Sequence, residues 1–170
     1  MQTLIMWLIF LGLGPLCTWH IENLLGFARW RFAFEHQLFF GIFTFCCSAA
    51  LAWGSAYFLI LQGQGTPLPA DAPRHLVIAG PYRFVRNPMA MGSLAQGLAI
   101  GIGLGSPLVL IYGFIGILAW NYIARPWEEF DLARRFGAPY EDYRDSVRCW
   151  IPRLHAYQGE DKTLKQHETD

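Results

Sequence analysis

The sequence predicts an all-α fold: a polytopic membrane helical bundle of about four transmembrane helices, with a C-terminal transmembrane helical hairpin and a cytoplasmic C-terminal helix. Three observations carry this. Of the 170 residues, 54% are hydrophobic and 16% aromatic, and they are gathered into long blocks almost free of charge. Two of those blocks, Pro88 to about Gly105 and Pro107 to Ala124, have only Ser106 between them, so their helices must run antiparallel. From Arg125 onward the chain turns polar. The formal net charge of zero offers no electrostatic pull towards nucleic acid.

The first block, about Thr3 to Trp19, is just long enough to cross a bilayer, with Gly12, Gly14 and Pro15 placed to kink it. Met1-Gln2-Thr3 carries no positive charge and no small-residue cleavage site follows, so a retained membrane helix is expected rather than a signal peptide. His20 to Gln37 mixes Glu22, Arg29, Arg31, Glu35 and His36 with Phe27, Trp30, Phe32 and Phe34. That mixture suits an amphipathic segment lying in the membrane interface. Leu38 to Leu61 is unbroken by charge and is the most secure span.

Gln62 to Asn87 is a long polar loop, rich in glycine and proline as far as Pro73. The third block carries Gly92, Gly97, Gly101, Gly103 and Gly105 with Ala90, Ala95 and Ala99, small residues that let membrane helices approach closely. Trp127 to Asp145 has helical periodicity, with Phe130, Leu132, Phe136, Tyr140 and Tyr143 set against charged neighbours. Residues 1–153 form one domain, 60–153 being its core, and 154–170 a flexible polar tail. Cys17, Cys46, Cys47 and Cys149 show no metal-binding spacing and are expected to be reduced packing residues.

With four spans, the N-terminus, the Gln62–Asn87 loop and the C-terminal segment share one side of the membrane. That side holds eleven of the 13 basic residues, only Arg29 and Arg31 lying opposite, so the positive-inside rule makes it cytoplasmic.

The chemistry concentrates at Gly80-Pro81-Tyr82-Arg83-Phe84-Val85-Arg86-Asn87-Pro88. Asn87 is a good N-cap and Pro88 a favoured first helical residue, so the third helix begins there. A helix start presents free N–H groups and partial positive charge, to which Arg83 and Arg86 add two full charges, making a place for an anion. The tight hairpin returns Arg125, Glu128 and Glu129 to the same level. A zwitterionic cofactor would match the set: a carboxylate for the arginines, an ammonium and ribose hydroxyls for a glutamate, and tyrosine faces for a sulfonium. The bland alternative is an interfacial ion-pair network, Arg125 with Glu129 being an ordinary i,i+4 pair worth under about 1 kcal/mol.

One combination goes further. Gly65-Thr66-Pro67, Pro69, Leu76-Val77, the run from Gly80 to Met89, Gly92, Glu128-Glu129-Phe130-Asp131-Leu132, Phe136-Gly137, Tyr140, Tyr143, Val147 and Trp150-Ile151-Pro152-Arg153 resemble the bacterial branch of the isoprenylcysteine carboxyl methyltransferase and phospholipid methyltransferase superfamily, in order and spacing. The resemblance implies an integral membrane enzyme of the bacterial inner membrane that uses S-adenosyl-L-methionine in a cytoplasmic pocket. A lipophilic acceptor would arrive sideways from the bilayer. It implies cofactor-binding roles for Arg74, His75, Leu76 and Val77, for Tyr82, for Asn87, Pro88, Met89 and Ala90, and for a glutamate of the Glu128-Glu129 pair; Arg86, Tyr140 and Tyr143 complete that candidate set. Arg125 matches the family's substrate-side arginine, and Arg125 and Glu129 are the catalytic candidates, with no metal. Two positions depart from the family pattern: Asn87 stands where histidine is common, and Ala90 where a tyrosine is usual.

Isoprenylcysteine-like carboxylate O-methylation is the favoured reaction, with Arg125 on the acceptor carboxylate, Tyr82 and Tyr143 flanking the sulfonium and Glu129 on the cofactor amine or ribose. Phospholipid or amine N-methylation is the first alternative. A nicotinamide-dependent reductase of the sterol C14-reductase type, or a non-catalytic relative, are the others. The acceptor and the oligomeric state are not written in the sequence.

Overall fold

A computed structural model describes residues 5, 7–64 and 73–158. A π-wound stretch, Leu8–Leu13, leads into α1, Gly14–Leu24, and a 3-10 turn spans Phe27–Trp30. Then come α2, Gln37–Gly63, a 3-10 turn at Gly80–Arg83, and α3, Pro88–Leu104. The helix α4, Pro107–Ala119, runs through a π turn, Trp120–Ala124, into α5, Arg125–Phe136, and α6 is Ala138–Ser146. There is no strand among the described residues. The helices Gln37–Gly63 and Pro107–Phe136, of 27 and 30 residues, are long and apolar enough to cross a membrane, and Pro88–Leu104 is a shorter apolar helix. Gly65-Thr66-Pro67 and Pro69, the start of the first block and residues 159–170 of the tail lie outside the described residues.

The hairpin forms as its sequence dictates. The Asn87 side chain accepts a hydrogen bond from the Ala90 N–H at 3.2 Å with Pro88 in the first turn, and the Ser106 hydroxyl caps α4 by accepting from Val109 N–H at 3.2 Å. Between them Gly105 takes φ +61°, and a Cβ there would run into the Phe32 carbonyl. Only glycine satisfies both demands.

The seam between α2 and α3 is built from small residues. A Cβ on Gly92 would lie 2.6 Å from the Ser48 carbonyl oxygen and 2.8 Å from the Ala52 nitrogen, both backbone atoms that cannot step aside. Ala52 and Ala99 are buried in the same seam. In lipid, close backbone approach replaces the hydrophobic force that would join such helices in water. Gly92→Ala is therefore expected to destabilise by about 1–3 kcal/mol through overpacking, seen as a lower thermal midpoint in detergent. Gly54→Ala, where a Cβ meets nothing within 4 Å, is expected to be neutral or slightly stabilising.

Five expectations are corrected. The first block does not end near Trp19 but continues helically to Leu24, the π winding ahead of Pro15 absorbing the bond its missing N–H cannot make. The fourth block's helix does not end at Ala124, because the π turn Trp120–Ala124 carries it on, with Pro126 in the first turn of α5, to Phe136. The single helix expected over Trp127 to Asp145 is broken at Gly137, whose φ is +56°. Glu22 is not an interfacial charge. It is fully buried, accepting from Arg31 Nε at 3.2 Å and from the Ser106 hydroxyl, while Arg31 also lies 4.7 Å over the Trp19 ring. The segment expected to float in the interface thus folds across the α3–α4 turn. Finally, Cys17, Cys46 and Cys47 are exposed on outer faces rather than packed; Cys149 is buried.

Candidate active site

At the opposite end of the bundle, the N-terminus of α3 and the α4–α5 junction meet. Arg86 donates from Nη1 to Glu129 Oε1 at 2.9 Å, and Asn87 donates from Nδ2 to Glu128 Oε2 at 2.8 Å. Arg125 Nε lies 3.7 Å from the same Glu129 oxygen, too long for a hydrogen bond but close enough for the charges to attract. Arg86 and Glu129 side chains are 14% and 23% exposed, so water screens this pair less than it would a surface pair. The i,i+4 pair of Arg125 and Glu129 is accordingly one arm of a network. Arg86 Nε and Arg125 Nε are buried without a hydrogen-bond partner among the described residues.

The C-terminal segment closes over this cluster. Its Arg148 carbonyl accepts from the Arg86 N–H at 3.0 Å, and its Arg153 N–H donates to the Phe84 carbonyl at 2.9 Å. Asn121 had not been singled out in the sequence. Its Oδ1 accepts from Arg125 Nη1 at 3.1 Å and from Trp150 Nε1 at 2.9 Å, so one amide aims the arginine and ties the segment to the π turn. The signal was present: an asparagine in an apolar block, one turn before an arginine, is costly in lipid unless bonded.

The other candidates are placed around the cluster. Pro88 and Ala90 are buried and Met89 half-buried in the first turn of α3. Tyr82, Tyr140 and Tyr143 are buried, and Leu76 packs against Tyr140 and Tyr143. The Tyr143 hydroxyl donates to the Tyr82 carbonyl at 2.6 Å, which makes these rings the foundation of the join rather than open aromatic faces. Val77 is buried, whereas Arg74 and His75 are exposed, their N–H groups donating to the Gly63 carbonyl at 2.7 and 3.3 Å. Arg83 does not converge with Arg86. Its Nε donates to the Tyr157 carbonyl at 2.9 Å, because the 3-10 turn ends at Arg83 and the chain then changes direction.

Burial pushes the Tyr140 hydroxyl up to about 12, Glu129 adding to the shift and Arg86 opposing it. Burial likewise raises Tyr82, with help from Glu128, and Tyr143, with help from Tyr82. Tyrosine ordinarily ionises near pH 10. An acid whose folded pKa is raised contributes stability that is full below its unfolded value and is lost as pH climbs above it. These three tyrosines are therefore expected to stay protonated above pH 10, where stability falls, and to ionise together on alkaline unfolding. Absorbance titration at the tyrosinate band checks this; gradual ionisation of all seven tyrosines near pH 10 would refute it.

Among the described residues, cavities lie elsewhere. One of about 490 Å³, with a mixed polar and apolar lining, adjoins the join at Ile78, Ala79, Gly80, Arg83, Tyr157 and Gln158. An apolar groove of about 240 Å³ separates α2 from α3 near Gly41, Ile42 and Gly103. Neither is lined by Arg86, Arg125, Glu128 or Glu129, which pair among themselves and their neighbours instead.

Comparison with known proteins adds a second line. The phospholipid methyltransferase family matches residues 36–139, a stretch that includes the join, the hairpin and α5. Protein-S-isoprenylcysteine O-methyltransferase A of Arabidopsis thaliana is 30% identical over 79 residues, 45% of this chain and 39% of its own length. Methanethiol S-methyltransferase 2 of Bradyrhizobium diazoefficiens is 34% identical over 80 residues, 47% of this chain and 30% of its own. A protein-S-isoprenylcysteine O-methyltransferase of Dictyostelium discoideum is 32% identical over 82 residues, 47% of this chain and 34% of its own. The match thus spans roughly a third of each of these relatives.

Proposed function

The chain belongs to the phospholipid methyltransferase family, and from that premise we propose that it is an integral membrane methyltransferase using S-adenosylmethionine to methylate a lipophilic acceptor, with an isoprenylcysteine-like carboxylate as the favoured acceptor group. The observation that carries the proposal is the Arg86–Glu129 contact, which draws two helix ends into one charged cluster. The distribution of basic residues supports a cytoplasmic site, and the resemblance to the bacterial branch of the family implies a bacterial inner membrane.

The residues present fit the cofactor. The buried Arg86 Nε–H has no hydrogen-bond partner among the described residues, and the cofactor's carboxylate would satisfy such a donor; the Arg125 Nε–H, likewise without one, is left for the acceptor. Glu128 and Glu129 stand beside them to receive an ammonium group or ribose hydroxyls. When bound, S-adenosylmethionine supplies a methyl group made electrophilic by a positively charged sulfur. Arg86, Asn87, Glu128 and Glu129 would hold it, and Arg125, aimed by Asn121, would orient the acceptor. Asn87 keeps the cap and a hydrogen bond to Glu128 in place of the family's common histidine. Ala90 leaves the pocket wall to other side chains. Tyr82 and Tyr143 contribute by fixing the backbone of the join. Arg74, His75, Leu76 and Val77 would approach the cofactor from the end of α2.

Alignment, exclusion of water and charge balance are what such a displacement asks of the protein. A carboxylate acceptor needs no base. An amine acceptor would need Glu128 or Glu129 to take a proton, and a thiol acceptor finds support in the Bradyrhizobium relative.

The experiment is to load membranes holding the protein with methyl-labelled S-adenosylmethionine, isolate the lipophilic product and treat it with alkali. Label released as volatile methanol is expected for an ester. Label retained rules out the carboxylate acceptor and turns the assignment to nitrogen or sulfur.

A further inference from the structure

The helix Pro107–Phe136 is 30 residues long, about 45 Å at 1.5 Å per residue, against about 30 Å of bilayer hydrocarbon. Its last turns therefore reach the headgroups or pass beyond them. A helix end standing in water would turn polar side chains outward. This one does not. Trp127 and Phe130 in α5 are 79% and 71% exposed, more than the outward-facing Ile115 and Leu118 of α4 at 58% and 54%.

These residues are in line with one another. Ile115, Leu118, Tyr122, Trp127, Phe130 and Arg134 are all exposed, at successive steps of three, four, five, three and four. Steps of three and four keep one face of an α-helix, whereas a step of five overshoots a full turn by about 140°. The step of five, Tyr122 to Trp127, crosses the π turn Trp120–Ala124, where the Arg125 N–H bonds to the Trp120 carbonyl five residues back. Ile123, 64% exposed, sits four residues before Trp127, so the outward stripe runs on through the π turn from α4 into α5. The inner faces of α5 are already used, by Glu129 on Arg86 and by Leu132 and Phe136 against Tyr140 and Tyr143.

We propose that α5 lies in the phospholipid headgroup layer, with Trp127 and Phe130 seated at the acyl boundary and Arg134 among the phosphates. The order suits that layer: aromatic rings favour the membrane–water boundary, and a terminal arginine reaches anionic oxygens beyond it. The occupant of this face is lipid, by continuity with the exposed apolar surface of α4. The consequence is that Glu129, on the opposite face of the same helix, is held at headgroup depth, where a membrane-borne acceptor presents its polar end. The inference rests on the membrane location alone and not on the methyl chemistry.

The test uses tryptophan fluorescence of the full chain in phosphatidylcholine–phosphatidylglycerol vesicles, the contribution of one ring being the difference from its Phe variant. Trp127→Phe isolates Trp127, Trp53→Phe isolates a ring midway along α2, and Glu141→Trp on α6 supplies a reference outside the stripe. Trp53 is expected to be quenched best by lipids brominated near the chain end, which checks insertion itself. Trp127 is expected to be quenched at least twofold better by lipids brominated near the carbonyl end than near the chain end, and several-fold less by aqueous iodide than the residue-141 reference. Quenching by iodide equal to that reference, with no response to brominated lipid, would overturn the proposal. So would protection from both quenchers, which would mark a contact between copies of the chain. Phe130→Trp in the Trp127→Phe background repeats the measurement one turn further on.

Discussion

Glutamine at position 129 is expected to weaken S-adenosylmethionine binding by about 30- to 100-fold, the equivalent of about 2–3 kcal/mol, with a smaller effect on the turnover of cofactor that does bind. The size follows from the position of the carboxylate. One oxygen serves Arg86 at 2.9 Å and faces Arg125 at 3.7 Å, in a setting less than a quarter exposed. Removing its charge leaves two guanidinium groups facing a ligand that itself brings positive charge, and truncating one partner of a partly buried, hydrogen-bonded pair costs more than losing a surface pair. Glutamine keeps the shape and one acceptor oxygen, so the fold should survive. Equilibrium binding of radiolabelled cofactor to the detergent-solubilised protein checks the prediction. A variant that binds normally but turns over slowly would exchange the roles assigned to Glu129 and Arg125.

Arg125→Ala has the opposite signature: a fall in turnover of about 10²- to 10³-fold, the range typical of losing a preorganised group that aligns or stabilises the reacting atoms, with cofactor affinity changed by less than about tenfold. Lysine should rescue poorly, because Arg125 bonds Asn121 from Nη1 at 3.1 Å while its Nε faces Glu129 at 3.7 Å, two directions that one ammonium does not reproduce. Asn121→Ala, which leaves Arg125 present but unaimed, is expected to move kcat in the same direction by about tenfold. Single-turnover kinetics separates these effects from binding. Equal losses of cofactor affinity in both variants would place Arg125 in the cofactor site instead.

Much of this arrangement was legible in the chain because it depends on strong local rules. Asn87-Pro88 had to start a helix, Gly105-Ser106 had to turn it, and a one-residue link had to return Arg125 and the two glutamates to the level of Arg86. What escaped depended on tertiary partners. Nothing local marks Glu22 as buried, since its partners Arg31 and Ser106 come from elsewhere in the chain. Arg83 and Arg86 read as a pair of charges, yet the first bonds to the C-terminal segment at Tyr157 and the second to Glu129. Tyr140 and Tyr143 carry the right chemistry for an aromatic wall, but packing put them in the core. The turn to polar residues at Arg125 suggested that the membrane helix ends at Ala124, yet it runs on through a π turn into α5.

The central claim is that the α3 start and the α4–α5 junction form one pocket for one small molecule. The most direct measurement is a structure of the protein with S-adenosylhomocysteine bound. The account predicts a ligand touching both ends, Arg86 or Asn87 on one side and Glu128 or Glu129 on the other, with its sulfur facing a space that Arg125 borders. A ligand held by one end alone, or lodged in the Arg83–Tyr157 cavity away from the glutamates, would contradict it.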